Sequence, residues 1–324
     1  MRATTFTFFL ILFCCTSDGK AQRDTAALED RFYRHKYEND FFTATDRYYT
    51  QGVYLEFIFP AFRKTLLAKT LIKLKPRSGK AINYYGISTE RQGFTPSSIR
   101  HFGKPIYGER PYAAIVYITH LLVSLAPNER LRLTTRINLG FMGSNLFGEE
   151  EQVAIHTSLG NILPLGWEYQ IENDYVINYD IFLEKGLIDS KWLTLTGFAE
   201  LRVGTLYDDF SLGSMIRIGY MQPYFNNLGL TRKKTAQKFQ CYLFLRGKAK
   251  AVGYNASMQG GVINQNSSYV VPDSYVERLV GQASYGLAIS YKRVGFEYSL
   301  ASITKEYKIG KNHAWGRIGI NVCF

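Results

Sequence analysis

The 324-residue chain is poor in cysteine and has no long apolar run of the kind that crosses a bilayer as a helix. It contains four cysteines, and two of them, Cys14 and Cys15, lie within the first 21 residues. A disulfide framework is therefore not expected to hold the protein together. One bridge between Cys241 and Cys323 stays open at this point. After residue 21, no uninterrupted apolar stretch approaches the roughly 20 residues of a transmembrane helix.

The chain also lacks the short motifs of several enzyme classes. There is no glycine-rich phosphate loop, no serine in a G-x-S-x-G turn and no HExxH zinc pair. The net charge of +12 invites a nucleic-acid partner. However, the basic residues are scattered over predicted strands instead of clustering on one helix face. We therefore expect no nucleic acid, and an anionic, phosphate-bearing lipid is the better electrostatic partner.

The beginning of the chain has the pattern of a secretory signal. Met1 and Arg2 give a short basic start, and residues 6–15, FTFFLILFCC, form an apolar run of signal-peptide length. Cleavage is expected after Ala21. Residues 1–21 are thus predicted to be a signal peptide and residues 22–324 a single exported domain.

Short alternating segments and many aromatics make up the rest of the chain, which has 24 Tyr and 22 Phe. Residues 131–141 place leucine, isoleucine and phenylalanine on one face and arginine, asparagine and glycine on the other. A soluble sandwich is the plainer interpretation, whereas alternation with aromatic girdles is typical of a transmembrane β-barrel. About 25 residues for each strand and its connection predict an all-β, antiparallel barrel of about twelve strands. Further predicted strands are residues 113–125, 193–204, 214–221, 240–250, 284–291, 295–303 and a last strand that ends in Phe324, as bacterial outer-membrane barrels do.

Residues 37–57, YENDFFTATDRYYTQGVYLEF, combine loop chemistry with a strand. Asn39 and Asp40 are poor strand formers and are candidates for a turn or a site. From Thr50 onward the residues alternate, and the pattern places Thr50 on the mixed face with Tyr54 and Glu56. We expect that face to point into the barrel.

Several separated segments resemble those of one family in the same order. They are ENDFF and TDRYYTQG (38–42 and 45–52), GFTPSSI and GERPYA (93–99 and 108–113), the block from His156 to GWEYQIEN (166–173), and VGYNASMQGG (252–261). Together they cover nearly all of the predicted mature chain and resemble the lipid A 3-O-deacylases of Gram-negative outer membranes. The resemblance implies a monomeric outer-membrane barrel that hydrolyses the acyl ester at the 3′ position of lipid A in the outer leaflet of lipopolysaccharide.

The resemblance also implies a mechanism and its residues. A histidine acts as general base on water, and a calcium ion polarises the ester carbonyl. His156 matches the base, Asn39 and Asp40 match the polar pair at the barrel wall, and Thr50 matches the threonine of the Tyr-Thr-x-Gly segment. Asp40 is the candidate calcium ligand.

Two positions depart from the family pattern. The family has a glutamate six residues after the histidine, where this chain has Ile162, so a carboxylate would have to come from elsewhere, for instance Glu151 or Glu168. The family's lysine after the Ser/Thr-Pro-Ser segment corresponds to Arg100, His101 or Lys104. Ile162 in place of the acid favours an alternative in which the barrel is not catalytic and acts as a small channel or a lipid-binding protein.

Residues 40–50 and 141–175 are predicted to be loops that carry function. On this interpretation His156 lies in a loop, and Trp167 is an aromatic of the rim or membrane interface. Glu149, Glu150 and Glu151 are expected in a solvated loop, with divalent-cation binding as the alternative.

Overall fold

The computed structural model describes residues 30–44, 47–77, 79–100, 107–232 and 237–324. The predicted signal peptide (1–21) lies outside these residues, as do Thr45 and Asp46 of the TDRYYTQG segment. His101 and Lys104, two of the candidates for the family's lysine, also lie outside them.

Twelve antiparallel strands form a closed barrel, which confirms the predicted fold class. Each strand pairs with its neighbours in chain order, and the first strand closes the barrel on the last, from Phe32 opposite Cys323 to Asn39 opposite Gly316. The strands are β1 (Phe32–Asn39), β2 (Tyr48–Ile58), β3 (Ile82–Thr95), β4 (Ala113–Ala126), β5 (Leu131–Met142), β6 (Asp174–Asp189), β7 (Leu193–Gly204), β8 (Tyr207–Tyr220), β9 (Phe239–Asn255), β10 (Leu279–Tyr291), β11 (Val294–Ile303) and β12 (His313–Cys323).

Helical segments are short and lie in the connections between strands. The helix α1 (Gly148–Leu159) has 12 residues and α2 (Ala256–Gln259) has four. Short 3-10 helices are Asp40–Thr43, Pro60–Lys64, Leu67–Lys69, Pro127–Glu129, Ser144–Leu146, Trp167–Tyr169 and Asp273–Tyr275. In the part of the chain that the structure describes, no helix is long and apolar enough to cross a membrane.

Strand alternation separates a polar interior from an apolar outer wall. In β6, Tyr175, Ile177 and Leu187 expose more than half of their surface, whereas the alternate residues Asn178 and Glu184 are buried. This is the pattern expected of a barrel whose outer face meets lipid. Ion pairs in the interior join neighbouring strands, as in Arg34–Glu56 and Arg132–Glu184, or strands on either side of a third, as in Lys248 of β9 and Glu200 of β7.

Apolar clusters pack at both ends of the barrel. At the end that holds the chain termini, Leu228 and Leu230 of the β8–β9 connection pack against inward-facing Phe32 and Leu125. At the opposite end, connecting segments contribute another buried group, which includes Ile171, Met258, Val271 and Tyr307. Apolar packing at both ends does not favour the interpretation of the protein as a small channel. Cys241 and Cys323 are free, so the open question of a disulfide is answered.

Candidate functional site on the outer wall

A cavity of 440 Å³ lies at the end of the barrel opposite the chain termini, between α1 and the wall of β1–β4. It brings together all four of the predicted site residues. Its lining comprises Tyr37, Asn39, Asp40, Phe41, Ala44, Thr50, Gln51, Arg91, Gln92, Gly93, Ala114, Gly148, Glu151, Gln152, Ile155, His156, Asn161 and Trp167.

The cavity lies on the outside of the barrel, and this corrects the predicted orientation of Thr50. Tyr49 and Gly52 line the barrel interior, whereas Thr50 and Gln51 line the outer cavity. The register of β2 against β3 shifts between Tyr49 and Gln51. Such a β-bulge inserts one residue and reverses the alternation that follows it. The prediction of an inward-facing Thr50 was wrong because it continued the regular alternation through the bulge.

His156 lies on the helix α1 and not in a loop, which corrects a second prediction. Three glutamates lie in the first turn, where their negative charges interact favourably with the positive end of the helix dipole and stabilise the helix. Gly160 ends the helix in the left-handed conformation, at φ +65°, as a C-terminal glycine commonly does. Glu151 is therefore a helical residue on the cavity wall instead of part of a solvated loop.

Close packing holds α1 against the barrel wall. A Cβ atom at Gly148 would lie 2.7 Å from the ring of Trp167 and 2.9 Å from Ala114. The Trp167 indole donates a hydrogen bond to Gln152 at 2.8 Å and stacks on Tyr112, with ring centroids 4.6 Å apart. Trp167 is only 2% exposed, so the prediction of a rim aromatic was wrong.

An ion pair joins the helix to the neighbouring strand. Arg91 of β3 donates from Nε to Glu151 at 2.5 Å and from a terminal nitrogen to the carbonyl of Leu146 at 3.0 Å. Arg91 is the cation in the cavity lining. Arg100, a candidate for the family's lysine, is exposed and is not among the lining residues. Sequence reasoning missed Arg91 because β3 was not predicted as a strand.

A main-chain carbonyl orients the ring of His156. The Nδ1 atom lies 2.6 Å from the carbonyl oxygen of Ile162. A carbonyl accepts hydrogen bonds only, so Nδ1 carries the proton, and Nε2 of the neutral ring is free to accept one. Gly160 makes this contact possible because its left-handed turn brings the chain back beside the histidine, with Asn161 N donating to the His156 carbonyl at 2.8 Å. The ring is 8% exposed.

Asn39 and Asp40 lie where β1 ends at the cavity. The Asn39 side chain accepts a hydrogen bond from Phe41 N at 2.7 Å and caps the 3-10 helix Asp40–Thr43. Asp40 is 3% exposed, and its Oδ2 accepts a hydrogen bond from Arg47 N at 2.8 Å. Asn39 and Asp40, which sequence patterns would assign to an ordinary turn, therefore line the cavity.

The cavity offers oxygen atoms but few negative charges to a metal. Among the described residues, no three His, Cys, Asp or Glu side chains converge as a metal cluster. Asp40 provides one carboxylate, and Asn39, Thr50 and Gln51 provide neutral oxygens on the same lining. Oxygen donors of this kind suit a hard cation such as calcium. Asp40 is the one carboxylate of this lining that could serve as a ligand, because Glu151 is engaged by Arg91, and so small a negative charge implies weak binding.

Comparison with known proteins identifies the family. The family described as "Outer membrane protein LpxR" matches residues 6–324. The chain belongs to the LpxR family of outer membrane proteins. Its barrel accordingly lies in the outer membrane, as the sequence predicts.

The solved structure of an LpxR protein has the same fold. LpxR from Salmonella typhimurium has a TM-score of 0.70 at 18% identity, over 90% of this chain and 100% of that chain. The beta domain of the Bordetella autotransporter Brka has a TM-score of 0.42 at 8% identity, over 90% of this chain and 97% of that one. At these identities the likeness to the Salmonella structure concerns the fold alone. No curated protein matches the sequence.

Proposed function

We propose that this LpxR-family barrel is a lipid A deacylase, a carboxylic ester hydrolase that releases the 3′ acyl chain of lipid A in the outer leaflet. The observation that carries the proposal is the placement of His156 beside Asn39, Asp40 and Thr50 in one cavity. The cavity opens on the outer wall of the barrel, so a lipid can reach it while its acyl chains remain in the bilayer. The protein acts as a monomer in this proposal, because a single chain supplies all of the proposed residues.

His156 is the general base. Its Nε2 removes a proton from water, and the water oxygen attacks the ester carbonyl carbon. The carbonyl of Ile162 holds the ring in the required tautomer and accepts from Nδ1–H as the ring becomes positive. When the ester C–O bond breaks, Nε2–H returns the proton to the leaving sugar oxygen. The products are a free fatty acid and a hydroxyl group on the sugar.

Asn39, Asp40 and Thr50 would hold a calcium ion, with Asp40 as the charged ligand. When bound, the ion supplies electrophilic stabilisation of the negative charge that develops on the ester oxygen. Asn39 and Thr50 also present polar groups that orient the attacking water. The buried position of Asp40 excludes bulk water from its carboxylate and strengthens its interaction with a cation.

The apolar part of the lining suits an acyl chain. Phe41 and Ile155 expose 79% and 37% of their surfaces beside the polar residues. Tyr37 and Trp167 complete this part of the wall. An acyl chain that lies across these side chains stays in apolar surroundings while its ester meets His156. This division between an apolar groove and a few polar groups is usual for sites that bind lipids and other small molecules.

The decisive experiment is lipid A mass spectrometry on outer membranes that contain the protein. A host with defined lipid A would express the wild type, His156→Ala or His35→Ala. His35 is the matched control, because it lies on the same strand as Asn39 but outside the cavity lining. We expect loss of one acyloxyacyl mass with the wild type and with His35→Ala, and intact lipid A with His156→Ala. Intact lipid A from a correctly folded wild-type barrel would instead support the non-catalytic, lipid-binding alternative.

A further inference from the structure

The β2–β3 connection lies against the outside of the barrel at the end of the chain termini, far from the cavity. Residues 59–77 of this connection are here named the strap. Thr65 Oγ1 lies 2.7 Å from His120 Nε2, and Leu74 N donates to the Ser124 hydroxyl at 3.1 Å. The strap also reaches β5 and β6, where its Ile72 carbonyl accepts from Thr135 and the Tyr179 hydroxyl donates to the Thr70 carbonyl.

The strap covers wall positions that would otherwise face lipid. In β4, Tyr117 and Thr119 point into the barrel, so the even-numbered residues point outward. Outward-facing Ile118 is 59% exposed, whereas His120 is 5% exposed and Ser124 is fully buried. The strap therefore satisfies polar side chains on the lipid face, where an unpaired polar group would be costly.

The outer side of the strap is both apolar and strongly basic. Ala68 and Leu71 are buried against the wall, but Leu66 is 80% exposed and Ile72 is 51% exposed. The strap contains no Asp or Glu and six basic residues, all of them exposed: Arg63, Lys64, Lys69, Lys73, Lys75 and Arg77. In the part of the chain that the structure describes, none of these six belongs to an ion pair.

We infer that the strap binds anionic phospholipid headgroups in the membrane leaflet on the side of the chain termini. Exposed Leu66 and Ile72 insert into the acyl region, and the six cations reach the phosphates above it. Amphipathic basic segments bind membrane surfaces by this combination of apolar burial and electrostatic attraction. The strap is fixed to the outer wall by hydrogen bonds, so the lipid meets a surface that is already formed.

Native mass spectrometry of the detergent-solubilised, full-length barrel tests this inference. The protein is titrated with phosphatidylglycerol or with phosphatidylcholine of the same acyl chains, and retained lipid is counted. The strap variant combines Lys69→Gln, Lys73→Gln and Lys75→Gln. The control variant combines Lys191→Gln, Lys238→Gln and Arg293→Gln, three exposed cations at the same end of the barrel.

We expect the wild type and the control variant to retain phosphatidylglycerol at lower concentrations than phosphatidylcholine. The strap variant should need at least about tenfold more phosphatidylglycerol, since it removes three of the six positive charges that attract the anionic headgroups. A Lys→Arg triple variant at the same strap positions should behave as the wild type, because it keeps the charge. Equal retention of the two lipids by the wild type, or equal weakening of the strap and control variants, would overturn the inference. The assay needs no enzymatic turnover, so its outcome is independent of the proposed deacylase activity.

Discussion

The Nδ1 atom of His156 donates to the main-chain carbonyl of Ile162, the position at which the resembled family has a glutamate. The chain has no acidic side chain at this position, but the main-chain carbonyl provides an acceptor for the histidine ring. A backbone carbonyl is a common partner of a functional histidine, and it fixes the tautomer as a carboxylate does. It carries no full charge, so it stabilises the protonated ring less than a carboxylate would.

The first prediction follows from this contact. Ile162→Ala keeps the carbonyl, and the side chain it shortens is 49% exposed. We expect initial rates of fatty-acid release within about threefold of the wild type, as for exposed substitutions worth about 0.5 kcal/mol. Removal of the base by His156→Ala should lower the rate by about 10²–10⁴-fold. A fall for Ile162→Ala as large as that for His156→Ala would show that the isoleucine side chain, and not the carbonyl, supports the base.

The second prediction concerns the contact of α1 with the wall. A methyl group at Gly148 would lie 2.7 Å from Trp167 and 2.9 Å from Ala114, too close for van der Waals contact. Gly148→Ala should therefore push the helix and His156 away from Asn39 and cost about 1–3 kcal/mol in packing. We expect a loss of about tenfold or more in deacylation rate, since small misplacements of catalytic groups are costly. Heat-modifiable migration on gels would show that the barrel itself is intact.

Gly197→Ala is the matched control for the helix contact. Gly197 lies in β7, and no atom lies within 4 Å of a Cβ added there. Its substitution by alanine should leave both the rate and the barrel unchanged. If Gly148→Ala were as active as this control, tight packing of α1 against the wall would not be needed for the reaction.

The fold was more predictable from the sequence than the site. Strand β7 was predicted with its observed bounds, Leu193–Gly204, because an outer wall in lipid and a polar interior enforce strict alternation. Strand β3 was missed because it carries polar residues on both faces: Glu90 and Gln92 point inward, and Arg91 reaches the cavity outside. The polar side chains that line the outer cavity disrupt the alternation there.

The candidate site residues were identified by resemblance, but the strand face and the helix on which they lie were not predicted. The bulge at Thr50 adds one residue without a distinctive sequence signal, so alternation alone placed the threonine on the wrong face. The helix that carries His156 did leave a signal, namely three glutamates at its start and Gly160 after its end. Its contact with the wall depends on Gly148 and on a tryptophan 19 residues later, and local patterns do not reveal such a pairing.

The third prediction concerns calcium. Because Asp40 is the one charged ligand proposed for the ion, binding should be weak, with a dissociation constant of about 10⁻⁴–10⁻³ M. Chelation should therefore abolish deacylation, and millimolar calcium should restore it.

Asp40→Asn keeps an oxygen that can accept from Arg47 N but removes the charge, so it should raise the half-activating calcium concentration by about tenfold or more. Asp273→Asn, at an exposed ion pair with Arg278, is the control. Full activity of the wild type in chelator would exclude a calcium requirement.

The last prediction concerns a buried ion pair at the end of the barrel that holds the cavity. It joins the β3–β4 connection to the β11–β12 connection. Arg110 has a 1% exposed side chain, donates to Glu306 at 2.9 Å and to the Ser257 hydroxyl at 2.5 Å, and lies over the ring of Phe94. Burial alone would raise the pKa of Glu306, but the nearby positive charges, Arg110 foremost, hold that pKa below its usual 4.5. Glu306 therefore stabilises the folded state in its ionised form.

The sign of the pH dependence follows from this lowered pKa. The ionised Glu306 contributes fully to the free energy of unfolding above pH 4.5, which is the pKa of this carboxyl in the unfolded chain. The contribution is lost as the pH falls through the lower pKa of the folded state. Glu306→Gln should destabilise the protein by about 3–5 kcal/mol at neutral pH, because it leaves Arg110 buried without its charged partner. Glu277→Gln, which breaks the more exposed pair with Lys305, should cost about 1 kcal/mol or less. Thermal unfolding in detergent at pH 7 and pH 4 measures both effects. Equal melting temperatures for the two variants at pH 7 would show that the buried pair adds no more stability than the exposed one.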